Sequence, residues 1–359
     1  MAVAEAAGVE KGMKVADLCA APGGKAGQMG AKLAGEGFLL ANEIMPDRAR
    51  LLSSQLERLG LTEIAVTNER PDRLAEHFGA VFDRVLVDAP CSGEGMFRKD
   101  PGAADAWEPA SNEACAHRQR LILDSAAQMV KPGGWLIYST CTFSQLENED
   151  NADWFLQTHP DFEALELILP GWTPGIHGEK HCARLWPHLS QGEGHFAARF
   201  RRVSGEEGEW PTAKRQPREK GADSFWRDTM EGPVPENTVN QGGFIWQLPR
   251  ENPHWGKLKL VRSGLPLGKL AKAYFHPHHS LAMAARARKC VELWKDPRLS
   301  KYLAGEEIPC EGAGWVQVTV MGCPLGWGKI SQGRMKNHLP AGLRRKWQDE
   351  GGYDYEHNS

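Results

Sequence analysis

Short apolar runs alternate with amphipathic stretches over the first 140 residues of the chain. The runs are residues 15–18, 37–40, 64–66, 82–88 and 135–138. Runs this short, apolar throughout and separated by helical patterns such as residues 46–59, are typical of buried parallel strands. Pro46 suits the first turn of that helix, and Gly60 suits the position just after its end. We therefore predict an open, doubly wound α/β domain.

The pattern changes after Val203. Residues 204–220 are rich in Gly, Glu, Pro and basic residues and almost free of apolar ones, as linkers are. Strand-like pieces follow at 244–248 and 257–261, then a helical pattern at 280–294. Residues 314–345 alternate and turn on glycine, which predicts a small β module. The predicted domains are 1–203 (α/β domain), 204–232 (linker), 233–309 (basic α+β intermediate region) and 310–359 (β module).

Charge is divided unevenly along the chain. The 359 residues include 43 Lys+Arg and 46 Asp+Glu, a net charge of -3. Residues 250–346 hold 18 basic against six acidic residues, so this region carries +12 and the rest of the chain -15. Such a separation indicates a polyanion-binding module attached to an acidic body. A solvated basic surface without a partner is the alternative.

The composition argues against several protein classes. No window approaches the ~20 uninterrupted apolar residues that a membrane span requires, and residues 1–9 contain Glu5 rather than the basic residues of a signal peptide. The eight cysteines form no CxxC pair, which favours reduced thiols in a cytoplasmic protein. His276, His278 and His279 lack a cysteine or acid at zinc-ligand spacing, so we expect no metal. We also expect a monomer.

The segment after the first strand has the composition of a ligand-binding loop. It comprises Cys19, Ala20, Ala21, Pro22, Gly23, Gly24 and Lys25, and it opens the first long helix. Its glycines allow close approach of a ligand, and the helix start offers free N–H donors. It contains neither GxGxxG nor, since Ala26 follows Lys25, the hydroxyl of a P-loop. With Glu43 placed to accept both ribose hydroxyls, the loop fits S-adenosylmethionine. A plain strand-to-helix turn is the alternative.

Two cysteines follow neighbouring strands of the predicted sheet. Cys91 comes after the fourth strand in residues 88–96, and Cys141 comes after the fifth in residues 139–143. Adjacent ends of parallel strands lie ~5 Å apart, so both thiols should face one cleft beside the cofactor. A lone cysteine of this kind is usually a small buried apolar residue. Two of them at strand ends favour nucleophilic catalysis.

Three segments together resemble the motifs of a known enzyme family. Residues 19–25, 88–100 and 138–143 look like those of the Nop/Sun family of S-adenosylmethionine-dependent RNA cytosine-C5 methyltransferases, particularly its bacterial RsmF-like branch, which acts on small-subunit (16S) ribosomal RNA. Residues 322–329 and 336–340 resemble the signature of the PUA-like RNA-binding module of that branch. The resemblance implies a Rossmann-like methyltransferase domain with a C-terminal PUA-like module, S-adenosylmethionine as cofactor and RNA as partner, without DNA or membrane.

The resemblance also implies a role for individual residues. In the cofactor site, residues 19–25 form the S-adenosylmethionine loop, Glu43 is the ribose acid, and Asn68 or Glu69 lies beside the adenine. Asp88 lies at both the cofactor and the target base.

For catalysis, the resemblance makes Cys141 the nucleophile that adds to cytosine C6 and Cys91 the residue that assists release of the methylated base. Asp88 would stabilise the activated ring near N3 and N4. Arg98 and Lys99 follow the Pro-Cys turn, where they either hold a phosphate or are simply exposed.

Other readings remain open from the sequence. In a DNA cytosine-C5 methyltransferase Cys91 would be the nucleophile, but the Glu-Asn-Val motif of that family is not found. The protein could be a non-catalytic ribosomal RNA-binding or assembly protein, or the methylated substrate could be transfer RNA. Family members carry an N-terminal RNA-binding extension, whereas about a dozen residues precede the first strand here. The sequence therefore resembles a family member that begins partway through its expected length.

Overall fold

The computed structural model describes residues 2–97, 107–108, 110–190, 192–214, 216–271 and 274–345. Arg98, Lys99 and the end of the predicted PUA-like module, 346–359, lie outside the described residues. The chain divides into two compact units. The first comprises Met1–Glu57, Leu61–Gln216 and Leu248–Gly264; the second comprises Arg58–Gly60, Pro217–Gln247 and Leu265–Ser359. Within the described part of the chain, no helix is both long enough and apolar enough to cross a membrane.

The secondary structure alternates between strands and helices in the first unit and is dominated by strands in the second. The helices are α1 (Ala2–Ala6), α2 (Gly24–Leu33), α3 (Pro46–Arg58), α4 (Pro71–Phe78), α5 (Ala110–Met129), α6 (Glu149–Thr158), α7 (Asp223–Thr229), α8 (His279–Ala284) and α9 (Arg298–Ala304). The first strands are β1 (Lys14–Asp17), β2 (Phe38–Asn42), β3 (Ile64–Thr67), β4 (Phe82–Asp88), β5 (Val130–Thr140), β6 (Phe162–Ala164), β7 (Thr173–Pro174), β8 (Cys182–Leu185) and β9 (His195–Arg202). The remaining strands are β10 (Thr238–Gln241), β11 (Phe244–Gln247), β12 (Leu260–Ser263), β13 (Leu265–Ala271), β14 (Tyr274–Pro277), β15 (Cys290–Glu292), β16 (Ile308–Pro309), β17 (Gly314–Val320), β18 (Cys323–Ser331) and β19 (Arg334–Asn337).

One mixed sheet organises the first unit. Its order is β12-β3-β2-β1-β4-β5-β9-β8-β7, with β6 paired to β9. Strands β1 to β5 are parallel, while β9 runs antiparallel to β5 and β12 antiparallel to β3. The five apolar runs form the parallel part, so the predicted Rossmann-like α/β fold is confirmed. The carboxyl ends of β1, β2, β4 and β5 consequently share one edge, where ligands bind in such sheets.

The parallel strands are apolar at successive positions because each face of the sheet has its own core. Leu40 and Val85 belong to the core on one face, and Leu39 and Leu86 to the core on the other. All four side chains are fully buried. At about 2 kcal/mol for each buried leucine or valine, both faces stabilise the sheet and fix the positions of its strand ends.

The segment after β9 belongs to the first unit, and Trp210 packs it against the core of that unit. The Trp210 ring centroid lies 5.3 Å from that of Phe38 and 5.6 Å from that of Phe78. This residue falls within the predicted linker 204–232, and the same range also contains α7. The polar composition of the segment conceals the contact, because the single indole supplies the apolar surface.

The strand predicted at 257–261 begins later and lies in the first unit. The structure has β12 at Leu260–Ser263, where its partner is β3. The preceding residues form a turn instead, in which the Leu258 N–H donates to the Trp255 carbonyl at 3.0 Å. A strand is therefore present in this region, but it begins later than predicted because the residues before it form a turn.

The second unit contains two sheets, ordered β10-β11-β13-β14 and β15-β17-β18-β19-β16. The predicted β module at the end of the chain is confirmed by β17, β18 and β19. The helix predicted over 280–294 is wrong beyond its first turns: α8 ends at Ala284, and Ala285 is extended. Residues Cys290–Glu292 instead pair in parallel with β17, so edge pairing overrides the helical pattern.

Candidate active site

The loop between β1 and α2 leaves its backbone open to a ligand. Gly23 has φ +117°, a conformation that disfavours any side chain, and a Cβ there would lie 3.1 Å from Leu52 Cδ1. Gly24 begins α2, and apart from its chain neighbours and the backbone of its own helix no described atom lies within 4 Å of its Cβ position. These two glycines therefore provide the close approach that the sequence predicts for residues 19–25.

Asp17 lies at the base of this loop and is fully buried. Its Oδ1 accepts a hydrogen bond from the Cys19 N–H at 3.3 Å, whereas Oδ2 has no hydrogen-bond partner among the described residues. Burial, and next the Asp88 carboxylate, raise the pKa of Asp17 to about 8. Burial also raises the pKa of the Cys19 thiol, which therefore stays protonated. The unpaired carboxyl oxygen fits a ligand that brings a donor, such as the amino group of S-adenosylmethionine.

Asn42 connects the ends of three strands. Its Nδ2 donates to the carbonyls of Leu18 at 3.1 Å and Glu69 at 2.9 Å, and its Oδ1 accepts from Thr67 Oγ1 at 2.8 Å. The side chain is fully buried. Sequence reasoning missed this residue, although a polar side chain within the apolar run 38–42 was the available signal.

Glu43 follows Asn42 and is also buried. Its Oε1 accepts from the Met45 N–H at 2.9 Å, and Oε2 lies 3.4 Å from Arg48 Nη1. The structure places Asn68 beside it, with Nδ2 donating to the Glu43 carbonyl at 2.9 Å. Glu69 accepts from the Arg70 N–H at 3.1 Å. The ribose and adenine roles of Glu43 and of Asn68 or Glu69 stay predictions.

Asp88 is held at the end of β4 by side chains from three other elements. Lys25 Nζ lies 2.7 Å from Oδ2, and Ser139 Oγ donates to Oδ1 at 2.7 Å. His195 Nε2 lies 3.9 Å from the same Oδ1. Burial, and then the Lys25 ammonium, lower the pKa of His195 to about 4, so this imidazole is neutral near pH 7. Sequence reasoning missed His195 because it lies in none of the recognised motifs.

The two predicted thiols are in direct contact. Cys91 Sγ lies 3.2 Å from Cys141 Sγ, and the Cys141 N–H donates to Cys91 Sγ at 3.3 Å. The hydrogen bond between the thiols lowers the pKa of Cys141, and the same bond together with burial raises the pKa of Cys91. Cys91 therefore holds the shared proton, and Cys141 is the member of the pair that ionises.

The charged pair Lys25 and Asp88 acts on the same thiols. The Asp88 carboxylate raises the pKa of Cys141, and the Lys25 ammonium opposes that effect. The Cys91 turn packs tightly against the Cys141 turn: the Gly95 N–H donates to the Cys141 carbonyl at 2.8 Å, and a Cβ on Gly95 would lie 2.7 Å from that oxygen. The structure thus brings Cys91, Cys141, Asp88 and Lys25 to one place.

Three further side chains contact the cysteine turns and were not singled out from sequence. They are Glu94, Gln119 and Glu147. Glu147 follows Cys141 by six positions, and Gln119 lies within a long helix, so no short motif joins them. Among the described residues, no three His, Cys, Asp or Glu side chains form a group that could hold a metal ion.

The chain matches three protein families along its length. Residues 7–201 match the family described as 16S rRNA methyltransferase RsmB/F. Residues 224–284 match the RsmF rRNA methyltransferase first C-terminal domain, and residues 289–345 match the methyltransferase RsmF PUA domain. The predicted PUA-like module is therefore confirmed as a module of the RsmF type.

Relatives and a solved structure agree with these matches. Ribosomal RNA small subunit methyltransferase F of Shewanella piezotolerans is 32% identical over 92% of this chain and 73% of its own length. Its namesake in Shewanella amazonensis is 31% identical over 92% of this chain and 74% of its own length. NSun6 from Pyrococcus horikoshii, solved with the S-adenosylmethionine analogue SFG, is 28% identical, with a TM-score of 0.52 over 57% of this chain and 51% of its own.

The cofactor predicted from the loop at 19–25 is confirmed at the level of the family, whose members use S-adenosylmethionine. The matched segments carry both the Rossmann-like sheet and the PUA module, and together they cover most of the described residues. The chain therefore belongs to the RsmB/F family of 16S rRNA methyltransferases.

Proposed function

We propose that this protein methylates carbon 5 of a cytosine in RNA, with 16S ribosomal RNA as the substrate, through a covalent bond between Cys141 and cytosine C6. The substrate class follows from the names of the matched family and of the Shewanella relatives. The observation that carries the chemistry is the contact of 3.2 Å between the Cys91 and Cys141 sulfurs, beside Asp88 and Lys25.

In the first chemical step, Cys141 attacks the cytosine ring. Cytosine C5 is a weak nucleophile, and addition of a thiolate to C6 converts the ring into an enamine. The Cys141 sulfur forms the bond to C6, and the electron pair of the C5–C6 double bond becomes available at C5. Asp88 hydrogen-bonds to the ring near N3 and N4, while Lys25 and Ser139 keep its carboxylate oriented. S-adenosylmethionine supplies the electrophilic methyl group.

Cys91 acts in a different step, the release of the product. A base removes the proton from C5, the C5–C6 double bond reforms, and the bond between C6 and the Cys141 sulfur breaks. Cys91 keeps its proton at neutral pH, so its thiol can donate to the departing sulfur and stabilise it as a thiolate. The division of roles agrees with the opposite pKa shifts of the two thiols.

The residues of the first unit fit the cofactor. Residues 19–25 would face its amino acid portion, the orphaned Asp17 oxygen would accept from its ammonium group, and Glu43 would accept the ribose hydroxyls. Asn68 or Glu69 would lie on the adenine side. These residues would bind and orient the cofactor, and none of them takes part in the attack by Cys141 or in its release.

RNA binding is assigned mainly to the basic part of the chain. We place catalysis in residues 1–203 and sequence-independent phosphate contacts in residues 250–346, which carry +12 and include the PUA match at 289–345. The target base has to leave its stack to reach Cys141. Single-stranded or loop RNA permits this at a cost of only a few kcal/mol.

Single cysteine variants test the proposal. Cys141→Ala should bind cofactor and RNA but neither methylate nor crosslink, because it lacks the attacking sulfur. Cys91→Ala should form the adduct but release it slowly, giving a nuclease-sensitive shifted band on a denaturing gel with a 16S ribosomal RNA transcript. The double variant should give no band. Trapping by Cys141→Ala, with Cys91→Ala merely inactive, would reverse the assignments and restore the DNA-type nucleophile.

The same gel compares RNA classes. A transfer RNA transcript should give less adduct with Cys91→Ala than the 16S ribosomal RNA transcript does. Equal or stronger trapping of transfer RNA would make it the substrate instead. Full methylation activity in both single cysteine variants would contradict the covalent mechanism altogether.

A further inference from the structure

A buried carboxylate holds the turn that carries Cys91. Glu147 is fully buried, and its Oε1 accepts from Ser92 Oγ at 2.5 Å. Its Oε2 accepts from the Ser92 N–H at 3.1 Å. Burial raises the pKa of Glu147, while the bonds from Ser92 and Gln119 oppose that effect. The residue immediately after Cys91 is thus fixed by both oxygens of one side chain.

Gln119 holds the residue before Cys91. Its Nε2 donates to Glu147 Oε2 at 2.7 Å and to the Pro90 carbonyl at 3.0 Å. Its Oε1 accepts from Tyr138 Oη at 2.9 Å, which anchors it to β5. Pro90 and Ser92 are the two chain neighbours of Cys91, so Glu147 and Gln119 together fix the backbone on both sides of this thiol.

A second carboxylate holds the turn that carries Cys141. Glu94 Oε2 accepts from Thr142 Oγ1 and from the Phe143 N–H, both at 3.0 Å. Its Oε1 accepts from Asn112 Nδ2 at 3.1 Å, which ties it to α5. Oε2 of Glu94 therefore fixes Thr142 and Phe143, the two residues that follow Cys141.

The turn that carries Cys91 and the turn that carries Cys141 are in contact, because Ser92 Oγ and Thr142 Oγ1 lie 2.8 Å apart. We propose that the two carboxylates are positioning residues for different steps: Glu147 holds Cys91 for release of the product, and Glu94 holds Cys141 for attack on C6. This inference rests on the proposed covalent mechanism. Its physical basis is that a thiol–thiol hydrogen bond at 3.2 Å is lost with a displacement of about 1 Å, which can cost about 10²-fold in rate.

The two carboxylates should fail in different ways when removed. Glu147→Ala displaces Cys91 and so also weakens the hydrogen bond that lowers the pKa of Cys141; single-turnover methylation should therefore fall a few-fold, whereas multiple turnover should fall by about 10- to 100-fold. Covalently trapped RNA should accumulate, as in Cys91→Ala. Glu94→Ala should slow both single and multiple turnover and leave no trapped RNA.

A conservative variant separates positioning from charge. In Glu147→Gln, the amide oxygen can accept from the Ser92 N–H and from Gln119, while the amide nitrogen donates to Ser92 Oγ. Turnover should therefore recover to within about fivefold of the wild type, because the contacts of the turn survive. A Glu147→Gln variant as defective as Glu147→Ala would overturn the positioning role.

A combined variant tests whether Glu147 acts through Cys91. Adding Glu147→Ala to Cys91→Ala should leave the amount of trapped RNA unchanged, because the thiol to be positioned is already absent. A further large loss of adduct in the combined variant would show that Glu147 serves Cys141 or the fold instead.

Controls keep this inference distinct from the proposed function. Each variant is first checked by calorimetry for binding of S-adenosylmethionine, which requires a folded first unit. If Cys91→Ala itself traps no RNA, the covalent mechanism fails. If Cys91→Ala traps RNA and a folded Glu147→Ala does not, the positioning role alone fails. Should Glu147→Ala not fold, Glu147→Asp shortens the side chain and withdraws both carboxylate oxygens from Ser92, and absence of trapped RNA in that folded variant is equally decisive.

Discussion

Lys25 Nζ lies 2.7 Å from Asp88 Oδ2, an ion pair that joins the loop after β1 to the end of β4. Both side chains are largely shielded, with exposed fractions of 21% and 27%. Lys25 thus belongs to the segment predicted to bind the cofactor, while its charged end is directed to Asp88, one of the proposed catalytic residues. Charge at the start of α2 therefore influences Cys141, whose pKa it lowers.

Replacing Lys25 should impair catalysis more than cofactor binding. Lys25→Met frees the Asp88 carboxylate and removes the cation that lowers the pKa of Cys141, so adduct formation should slow by about 10- to 100-fold at pH 7. The acid limb of its pH–rate profile should move to higher pH, because less thiolate is present at each pH. Single-turnover methylation across pH 6 to 9 measures both effects.

Lys32→Met is a matched control, since Lys32 lies on the same helix and pairs with Glu5 away from the thiols. It should keep the wild-type profile. A Lys25→Met profile that coincides with the wild type would mean that the ion pair has no role in activating Cys141.

Removal of the predicted ribose acid should weaken cofactor binding. Glu43→Ala should weaken S-adenosylmethionine binding by ~2 to 3 kcal/mol, because hydrogen bonds to a charged acceptor are the strong ones. Calorimetric titration gives the Kd directly. Glu36→Ala removes an exposed acid that pairs with Lys11, and it should leave the Kd unchanged. Equal Kd values for Glu43→Ala and the wild type would place the ribose elsewhere.

Asp17 should make the free energy of unfolding depend on pH. Its pKa is raised to about 8 from the ordinary value of 3.8, so between pH 4 and pH 8 the folded state binds a proton that the unfolded state has lost. This contribution to stability is complete below pH 4 and is lost as the pH rises through about 8.

Asp17→Asn removes that titration. Between pH 5 and pH 8 its free energy of unfolding should fall by about 2 to 4 kcal/mol less than that of the wild type, as measured by urea unfolding. The comparison of two pH values in each protein cancels any constant cost of the buried amide. Asp72→Asn, at an exposed acid paired with Arg70, should retain the wild-type pH profile. Parallel profiles for Asp17→Asn and the wild type would contradict the raised pKa.

RNA affinity should depend on exposed lysines of the second unit. Lys329 pairs with Trp315 on one side and Lys336 on the other in the registers of β17, β18 and β19. Its Nζ lies 5.4 Å from the Trp315 ring centroid. Lys329→Glu and Lys336→Glu should each weaken RNA binding and reduce the slope of log affinity against log salt by about 0.7 to 0.9, without changing cofactor affinity.

Lys180→Glu offers a control of equal charge change at an exposed lysine of the first unit. Its salt slope should match the wild type. If all three variants lose affinity equally, RNA binding would reflect total charge rather than a surface on the β17–β19 sheet. Substitution suits this test better than deletion from Ser204, which would also remove β12 from the first sheet.

The sequence was sufficient for the parts of the site that follow strand ends. Cys91 and Cys141 could be placed together because adjacent parallel strands end at a common edge, and the glycines of residues 19–25 marked the open loop. Glu147 and Gln119 could not be found in this way. Their proposed positioning role depends on hydrogen bonds to Ser92 and Pro90, and such contacts arise only when the strands and α5 have packed.

The same distinction applies to the fold. The apolar runs of β1 to β5 are buried on both faces, so their pattern was clear from local sequence. The segment 280–294 is different, because its first residues are helical but Cys290–Glu292 gains more from pairing with β17 than from continuing α8. Long-range pairing of this kind leaves little trace in local periodicity.

The position of β12 has a consequence for the protein during its synthesis. All of β3 has been synthesised once Thr67 is added, but its partner strand β12 is complete only when Ser263 is added. A ribosome adding about 5 to 20 residues per second needs roughly 10 to 40 seconds for the intervening stretch. Until β12 has been made, the outer edge of β3 lacks its partner strand, and the unpaired N–H and C=O groups of such an edge are a template on which another chain can pair. We therefore expect slower translation over residues 68–263 to lengthen the time in which this edge is open to aggregation.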